Sequence, residues 1–409
     1  MSVSNDPRNF FQSDQSLEKA QRQARKKREL KDKGQPIVVP TKILALQPDT
    51  SSPAHVFIAE AGNVARRVNI QNTKETHRIY RGHTAPVTSL ALNTDASVLY
   101  TGSWDKTIRA FSTSDKTVLQ TFAGHSDFVK ALVYTDLIPG KPLLISGGAD
   151  AAIIVWNPAT GEKLQTLKSH PRGVQALAID PVESTREAVV LYSAGSTREI
   201  KKWVIKADGC RATEVCEIVQ HETGVNSLRF LSADGEEADL WTASSDMTVK
   251  RFERATLAAA TALEEEGKGK GNGVRTVDPD TELWHTDFVN DVVMDATGRW
   301  VITACSDEEI RVWDAASSKL YHKFSGHYDV VTALAVVGTE LISVSLDATI
   351  RKWSLKPADV KTAVEAARGT EAGVDEEEEG GAIGRSRSNS MLTAEEEQEL
   401  AELMAEEDE

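Results

Sequence analysis

From Gln35 to Ser354 the chain is made of short stretches in which apolar and polar residues alternate, separated by polar turns. One such group runs Val87 to Leu92, Val98 to Thr101 and Thr107 to Phe111, with turns such as Thr94-Asp95 and Ser114-Asp115. A period of two over a few residues, bounded by turn formers, predicts β-strands. The groups themselves repeat. Each opens on Gly-His or a lone His and passes a β-branched segment, a second apolar segment ending in small residues, and an Asp. It closes on an alternating segment that ends in an aromatic residue or, once, in Val. The end positions Val68, Phe111, Trp156, Trp203, Phe252, Trp313 and Trp353 are spaced 43, 45, 47, 49, 61 and 40 residues apart, so seven units are expected. One small four-stranded sheet cannot bury both its faces, and stacking neighbours around an axis is the physical solution.

The fullest copies end in Ser103-Trp104-Asp105-Lys106-Thr107-Ile108-Arg109-Ala110-Phe111, in Ser306-Asp307-Glu308-Glu309-Ile310-Arg311-Val312-Trp313-Asp314 and in Ser345-Leu346-Asp347-Ala348-Thr349-Ile350-Arg351-Lys352-Trp353. In these residues the chain resembles the WD-repeat β-propeller family, whose unit of about 40–45 residues has Gly-His near one end and Trp-Asp at the other. The resemblance spans about three quarters of the chain. It implies an all-β fold, a seven-bladed β-propeller of four-stranded antiparallel blades over residues 35–355, with short helical or disordered N- and C-terminal extensions.

The resemblance also gives the recurring His, Ser/Thr, Asp and Trp a structural role. Their types match a catalytic triad, but the set recurs in degraded form where an active site would be single. One full set is His327, Ser345, Asp347 and Trp353. The third unit has His125, Asp150 and Trp156 with Gly148 at the hydroxyl position, and the sixth has His285, Asp307 and Trp313 with Cys305 there. The second and fifth keep His83, Ser103, Asp105 and His221, Ser244, Asp246 but end in Phe. The fourth keeps Trp203 but has Thr197 in place of Asp, and the first has Gly62 there, so those two turns are expected to be less rigid. After Trp353 the chain leaves the pattern at Lys356-Pro357, and an open ring exposes unpaired strand edges. The missing outer strand is therefore expected from Pro36-Ile37-Val38-Val39.

Charge divides the chain further. The 47 Lys and Arg against 62 Asp and Glu give a net of −15, but residues 355–409 alone carry −12 and residues 1–34 carry +4. Acidity is thus mostly a property of the tail, and nucleic acid is an unlikely partner. The basic arm, 1–34, includes a charged helix from Leu17 to Leu30. It either lies on the propeller or serves as a partner-binding or basic localisation segment through Arg25-Lys26-Lys27-Arg28. The long sixth step places an insertion at about 254–283, with the run Gly267 to Gly273 read as a flexible loop, since it lacks the order and setting of a phosphate cradle. In the acidic tail, 356–409, Ser386, Ser388 and Ser390 lie among Arg385 and Arg387 and are candidate phosphorylation sites. A short helix over 393–406, capped by Thr393 and Glu396, is a candidate to fold into a partner's groove.

No apolar run approaches the length of a membrane span, the N-terminus has no secretory pattern, and Cys210, Cys216 and Cys305 cannot form a disulfide framework. A cytoplasmic or nuclear location is expected. Metal-ligand spacing, a nucleophile elbow and a dinucleotide fingerprint are all missing, so neither a cofactor nor an enzymatic reaction is expected. The expected function is a non-enzymatic scaffold or adaptor subunit that binds other proteins or peptides. The resemblance implies a binding face that includes Trp104, Phe128, Lys130, Arg172, Asn226, Phe288, Asn290, Tyr328 and Leu346. Two alternatives stay open. One is a substrate-recognition subunit of a ubiquitin ligase, though no Trp-Asp-x-Arg follows any repeat end. The other is a G-protein β-like subunit, suggested by a helix ahead of seven blades.

Overall fold

Each period-two segment becomes a strand, and the strands form seven antiparallel sheets in chain order. The computed structural model describes residues 14–365 except 73, 74, 76, 169, 208–210, 233–237, 258–273 and 276. Blade 2 is representative, with Val87–Leu92, Val98–Ser103, Thr107–Ser112 and Val118–Ala123 paired in that order. The inner strands beginning at Ile43, Val87, Val129, Val174, Val225, Val289 and Val331 each contact the next, and the last contacts the first. The described residues thus form a closed seven-bladed β-propeller.

The core lies between blades. Seven apolar clusters fill the seven interfaces, each drawing residues from two neighbouring sheets. Between blades 3 and 4, for example, Ile145, Ile153 and Val155 meet Val174, Leu191 and Trp203. Middle strands are therefore buried on both faces, and Ile153–Trp156 has no exposed residue at all. Outer strands such as Val118–Ala123 are mostly exposed. Burial of both faces through stacking is what a repeated sheet achieves and a lone one cannot.

The ring closes through the N-terminal segment. Ile37–Val38 pairs antiparallel with Thr349–Ser354, setting Ile37 opposite Ile350 and Val38 opposite Thr349, and the Val39 N–H reaches the Ala348 carbonyl. Ile37 and Val39 are buried in the cluster between blades 7 and 1. Ahead of this strand, helix α1 spans Asp14–Glu29. Gly34, at φ +69°, turns the chain from α1 into the strand. A Cβ there would lie 2.8 Å from the Trp353 ring, so the position needs glycine both for its backbone and for its space.

Two features depart from expectation. Blade 4, unlike the other six, has five strands, because Val274–Arg275 adds in parallel to the outer strand Arg211–Val219. The insertion also ends earlier than 283, since Thr281–Trp284 is the outer strand of blade 5. Its entry is fixed by Arg254, whose guanidinium reaches the fully buried Asp180 carboxylate of blade 4 at 3.0 and 3.2 Å. After blade 7, residues 357–365 are helical. Residues 361–409 are a separate unit. Ser386, Ser388, Ser390 and the expected helix at 393–406 lie outside the described residues, as do Gly267 to Gly273.

Candidate functional site

Antiparallel order puts two kinds of loop at one end of every sheet: the turn between second and third strands, and the loop that enters the next blade. The His of the entering loop and the Asp of the turn join them. His83 Nδ1 donates to Asp105 at 2.7 Å, His221 to Asp246 at 2.8 Å, His327 to Asp347 at 2.9 Å and His125 to Asp150 at 3.0 Å. Each Asp also accepts the N–H two residues on, at Thr107, Ala152, Thr248 and Thr349. The residue between, Lys106, Ala151, Met247 or Ala348, has φ of 62–69°. Non-glycine residues adopt that left-handed backbone at a cost, which the Asp hydrogen bonds offset.

The hydroxyl of the network lies two residues before the one expected. Nε2 of each His faces Thr101, Ser146, Ser193, Thr242, Thr303 or Ser343 at 2.7–2.8 Å. Where the unit ends in Trp, the indole N–H of Trp156, Trp203, Trp313 or Trp353 donates to that same hydroxyl at 2.7–3.0 Å. The hydroxyl thus accepts from the indole and donates to a neutral imidazole. Ser103, Ser244 and Ser345 instead donate to the carbonyls of Ala85, Gly224 and Asp329 and accept the N–H of the turn Asp, bracing the turn from below. Cys305 does the former through its thiol toward Asp287, and burial pushes that thiol up to about 11, which leaves it unreactive. At Gly148 a Cβ would lie 2.5 Å from both His125 and Asp150.

Burial holds His83, His125 and His327 below their usual range despite the neighbouring carboxylates, so they are neutral at pH 7. Blade 6 departs from the expected pairing. His285 donates to the Leu283 carbonyl, and burial takes it down to about 4. Asp307 turns to Arg311 and Thr286 instead. Burial works against that carboxylate's charge, but the Arg311 hydrogen bonds hold it at about 2. Blade 4 adds His170, which sequence reading passed over, on Ser193. In blade 1 a buried ion pair takes the network's place: Glu60 accepts from Arg66 at 2.5 Å and from Thr41 at 2.8 Å.

The nine positions expected on the binding face divide. Trp104, Phe128 and Phe288 are 39, 36 and 50% exposed, and Arg172 is exposed. Trp104 and Phe128 stack across blades 2 and 3, with centroids 5.1 Å apart. Lys130, Asn226, Asn290, Tyr328 and Leu346 are only half-exposed, and two of these serve the frame. The Asn226 and Asn290 amides donate to the backbone carbonyls of Val289 and Val331 in the next blade. Thr88 and Thr332 make the same inter-blade bond to Val129 and Ile43. Tyr328 donates to the Asp347 carbonyl and has the Lys27 ammonium of α1 over its ring. Arg22 and Lys26 of α1 meet Glu308 in the blade 6 turn, and Arg351 donates to the Leu30 and Lys33 carbonyls just past the helix. The helix therefore lies on the loop end of blades 6 and 7.

Among the described residues no group of three or more His, Cys, Asp or Glu side chains is placed to hold a metal ion, and no helix is long and apolar enough to cross a membrane. The ring and its repeated His–hydroxyl–indole brace define a β-propeller built from one recurring unit. The chain belongs to the WD-repeat family. The family model for the WD domain, G-beta repeat, matches residues 74–112, 116–157, 273–314 and 318–354. An uncharacterised WD repeat-containing protein of Schizosaccharomyces pombe is 33% identical over 364 residues, which cover 86% of this chain and 90% of that protein. The Xenopus laevis p21-activated protein kinase-interacting protein 1-like is 26% identical over 69% of this chain and 68% of its own length. Human striatin-3 is 27% identical over 70% of this chain but only 29% of its own length.

Proposed function

We propose that the protein is a non-enzymatic interaction scaffold or adaptor in a cytosolic or nuclear multiprotein complex, with the loop end of the ring as its main binding surface. One observation carries this reading. The histidines and aspartates that resemble chemistry are spent on internal hydrogen bonds, whereas Trp104, Phe128 and Phe288 stand exposed on that end. Large aromatics are the side chains that carry binding energy when a partner desolvates them. A relative whose name states a kinase interaction is consistent with it. The docked position of α1 favours a scaffold over a G-protein β-like subunit, since its cationic side chains already engage Glu308 and Tyr328.

The acidic tail is a second contact region in this reading, with Ser386, Ser388 and Ser390 as sites at which phosphate alters its charge. Affinity purification of the tagged chain from its own cells, with quantitative mass spectrometry, tests the whole. Partners recovered in fixed ratio and lost on combined substitution of Trp104, Phe128 and Phe288 by Ala are the expected result. Catalytic turnover of a small molecule, or no partner in fixed ratio, would overturn it. Phosphopeptide mapping that finds all three serines unmodified would remove the phosphorylation clause alone.

A further inference from the structure

The loop end of the ring is not uniform where one blade meets the next. Between blades 2 and 3 two large rings, Trp104 and Phe128, stack and remain exposed. Between blades 3 and 4 the equivalent pair is Ala149 and Gly173, so close that a Cβ on Gly173 would lie 2.9 Å from the Ala149 Cα. Between blades 4 and 5 it is Ser196 and Gly224, at 3.1 Å. An aromatic shelf thus drops to a floor of backbone.

Cations on this arc lack partners among the described residues. Lys130 holds the position from which Thr88, Asn226, Asn290 and Thr332 bridge to the next blade, yet it makes no such bond. Arg172, exposed in the loop entering blade 4, makes no ion pair or side-chain hydrogen bond with any described residue. The carboxylates nearby do not serve them. Asp105 and Asp150 turn onto His83 and His125, and Asp127 accepts from the Phe128 N–H.

Blade 7 shows what such a position holds when filled. Arg351 lies beside Gly326 and donates to two carbonyls at the end of α1. Arg109 has the same place in blade 2, beside Gly82, but its Nε is buried without a partner. The face is therefore occupied over blades 6 and 7 by the chain's own segment, and among the described residues no such segment lies on Arg109 in blade 2.

Resting on the scaffold reading, we propose that the arc from blade 2 to the loop entering blade 4 docks an extended acidic segment of a partner protein. One large apolar side chain of that segment lies on the Trp104–Phe128 shelf. Its carboxylates lie over the backbone floor and pair with Lys130 and Arg172. An unpaired cation beside an aromatic surface recognises this combination, with charge fixing register and apolar contact supplying affinity.

The test uses the full chain and arrays of synthetic peptides of about 12 residues. Each peptide has one Leu, Phe or Trp flanked by Asp and Glu, with matched arrays in which Asn and Gln, or Lys and Arg, replace the acids. The acidic arrays bind, and binding weakens as salt is raised. Trp104→Ala and Arg172→Glu each reduce affinity by about tenfold or more, the range expected for anchor residues. Glu308→Lys, on another blade, leaves it unchanged. Melting curves confirm that each variant is folded, and Arg172→Glu, at an exposed position, carries the test if Trp104→Ala is destabilised. Acidic peptides that bind no better than their amide counterparts, or binding unaffected by both substitutions, would overturn the proposal. If native partners still co-purify with both variants, the scaffold reading survives and this arc is the wrong surface. If the wild-type chain retrieves no partner in fixed ratio, the scaffold reading itself fails.

Discussion

Blades 5 to 7 and blades 2 to 4 are copies of one unit, yet they spend their polar side chains differently. In blades 5 to 7 the buried Asp291 carboxylate gathers both arms of Arg229, the Ser227 hydroxyl and the Leu334 N–H, so one residue ties three blades. Asn226, Asn290 and Thr332 add inter-blade bonds, and α1 covers the loop end of blades 6 and 7. In blades 2 to 4 only Thr88 makes this bond from an inner strand, Thr94, Lys141 and Gln165 bridge to the next blade from other positions, and Lys130, Arg172 and the Arg109 Nε have no partner among the described residues. Polar groups spent on the frame stabilise the ring, and those left over are free for a partner. A repeat fold can divide these tasks among blades because each blade is tied mainly to its neighbours.

The sharpest way to break the clasped side is to remove its closing strand. Deleting residues 1–39 removes buried Ile37 and Val39, each worth about 1.5–3 kcal/mol, and leaves the last blade with an open edge. The melting temperature is expected to fall by many degrees, and far less on deletion of 1–34, which spares the strand. An unchanged melt for the longer deletion would sink the closure argument. Next, Asp291→Ala leaves Arg229, Ser227 and the Leu334 N–H without their acceptor and is expected to cost about 1–3 kcal/mol in urea unfolding. Lys130→Ala on the open side should cost within about 0.5 kcal/mol. Equal costs would erase the contrast.

Acid should affect the whole ring through its histidines. His83, His125, His285 and His327 are kept neutral by burial, His285 down to about 4, whereas the unfolded chain protonates them below about pH 6.5. The unfolded state then binds more protons, so stability present above that pH is lost as pH falls toward 4. Melts at pH 7, 6 and 5 should decline in turn, and His285→Gln should flatten the decline; a flat wild-type profile would contradict the neutral-histidine network. A small, local effect is expected at Glu308. Glu308→Lys repels Arg22 and Lys26 and should speed tryptic cleavage within Arg25–Arg28 while changing stability by no more than about 1 kcal/mol.

The propeller was legible because its evidence is recurrence: seven units in phase fix the blade count and the closing strand even where single units are degraded. Legibility failed where one unit had to be read alone. Residues 101 and 103 lie on one face of a strand, so periodicity cannot choose between them as the network hydroxyl. The discriminating signal was the constant ten-residue step from Ser146, Ser193, Thr303 and Ser343 to the indole that each accepts. Asn226 and Asn290 looked free because their acceptors lie in the next blade. The fifth strand of blade 4 is two residues in a Gly- and Lys-rich insertion, too short for any pattern. The seat of α1 was invisible for a related reason, since its anchors Glu308 and Arg351 lie 282 and 321 positions beyond Lys26 and Leu30.

The pairing of Ile37 with Ile350 also sets a timetable. A chain emerging from the ribosome makes its closing strand first and that strand's partner last, so some 310 residues of ring must wait between them. Contacts at such separation form slowly, because the entropy of closing the loop is lost before the contact rewards it. Until blade 7 is synthesised, blade 1 has no neighbour on one side, and Val56, Ile58 and Val68 lack the residues of blade 7 that cover them. Closure is then a single late event that buries the last core layer and seats α1 together, and the unfinished chain up to that moment is the form that most needs protection from aggregation.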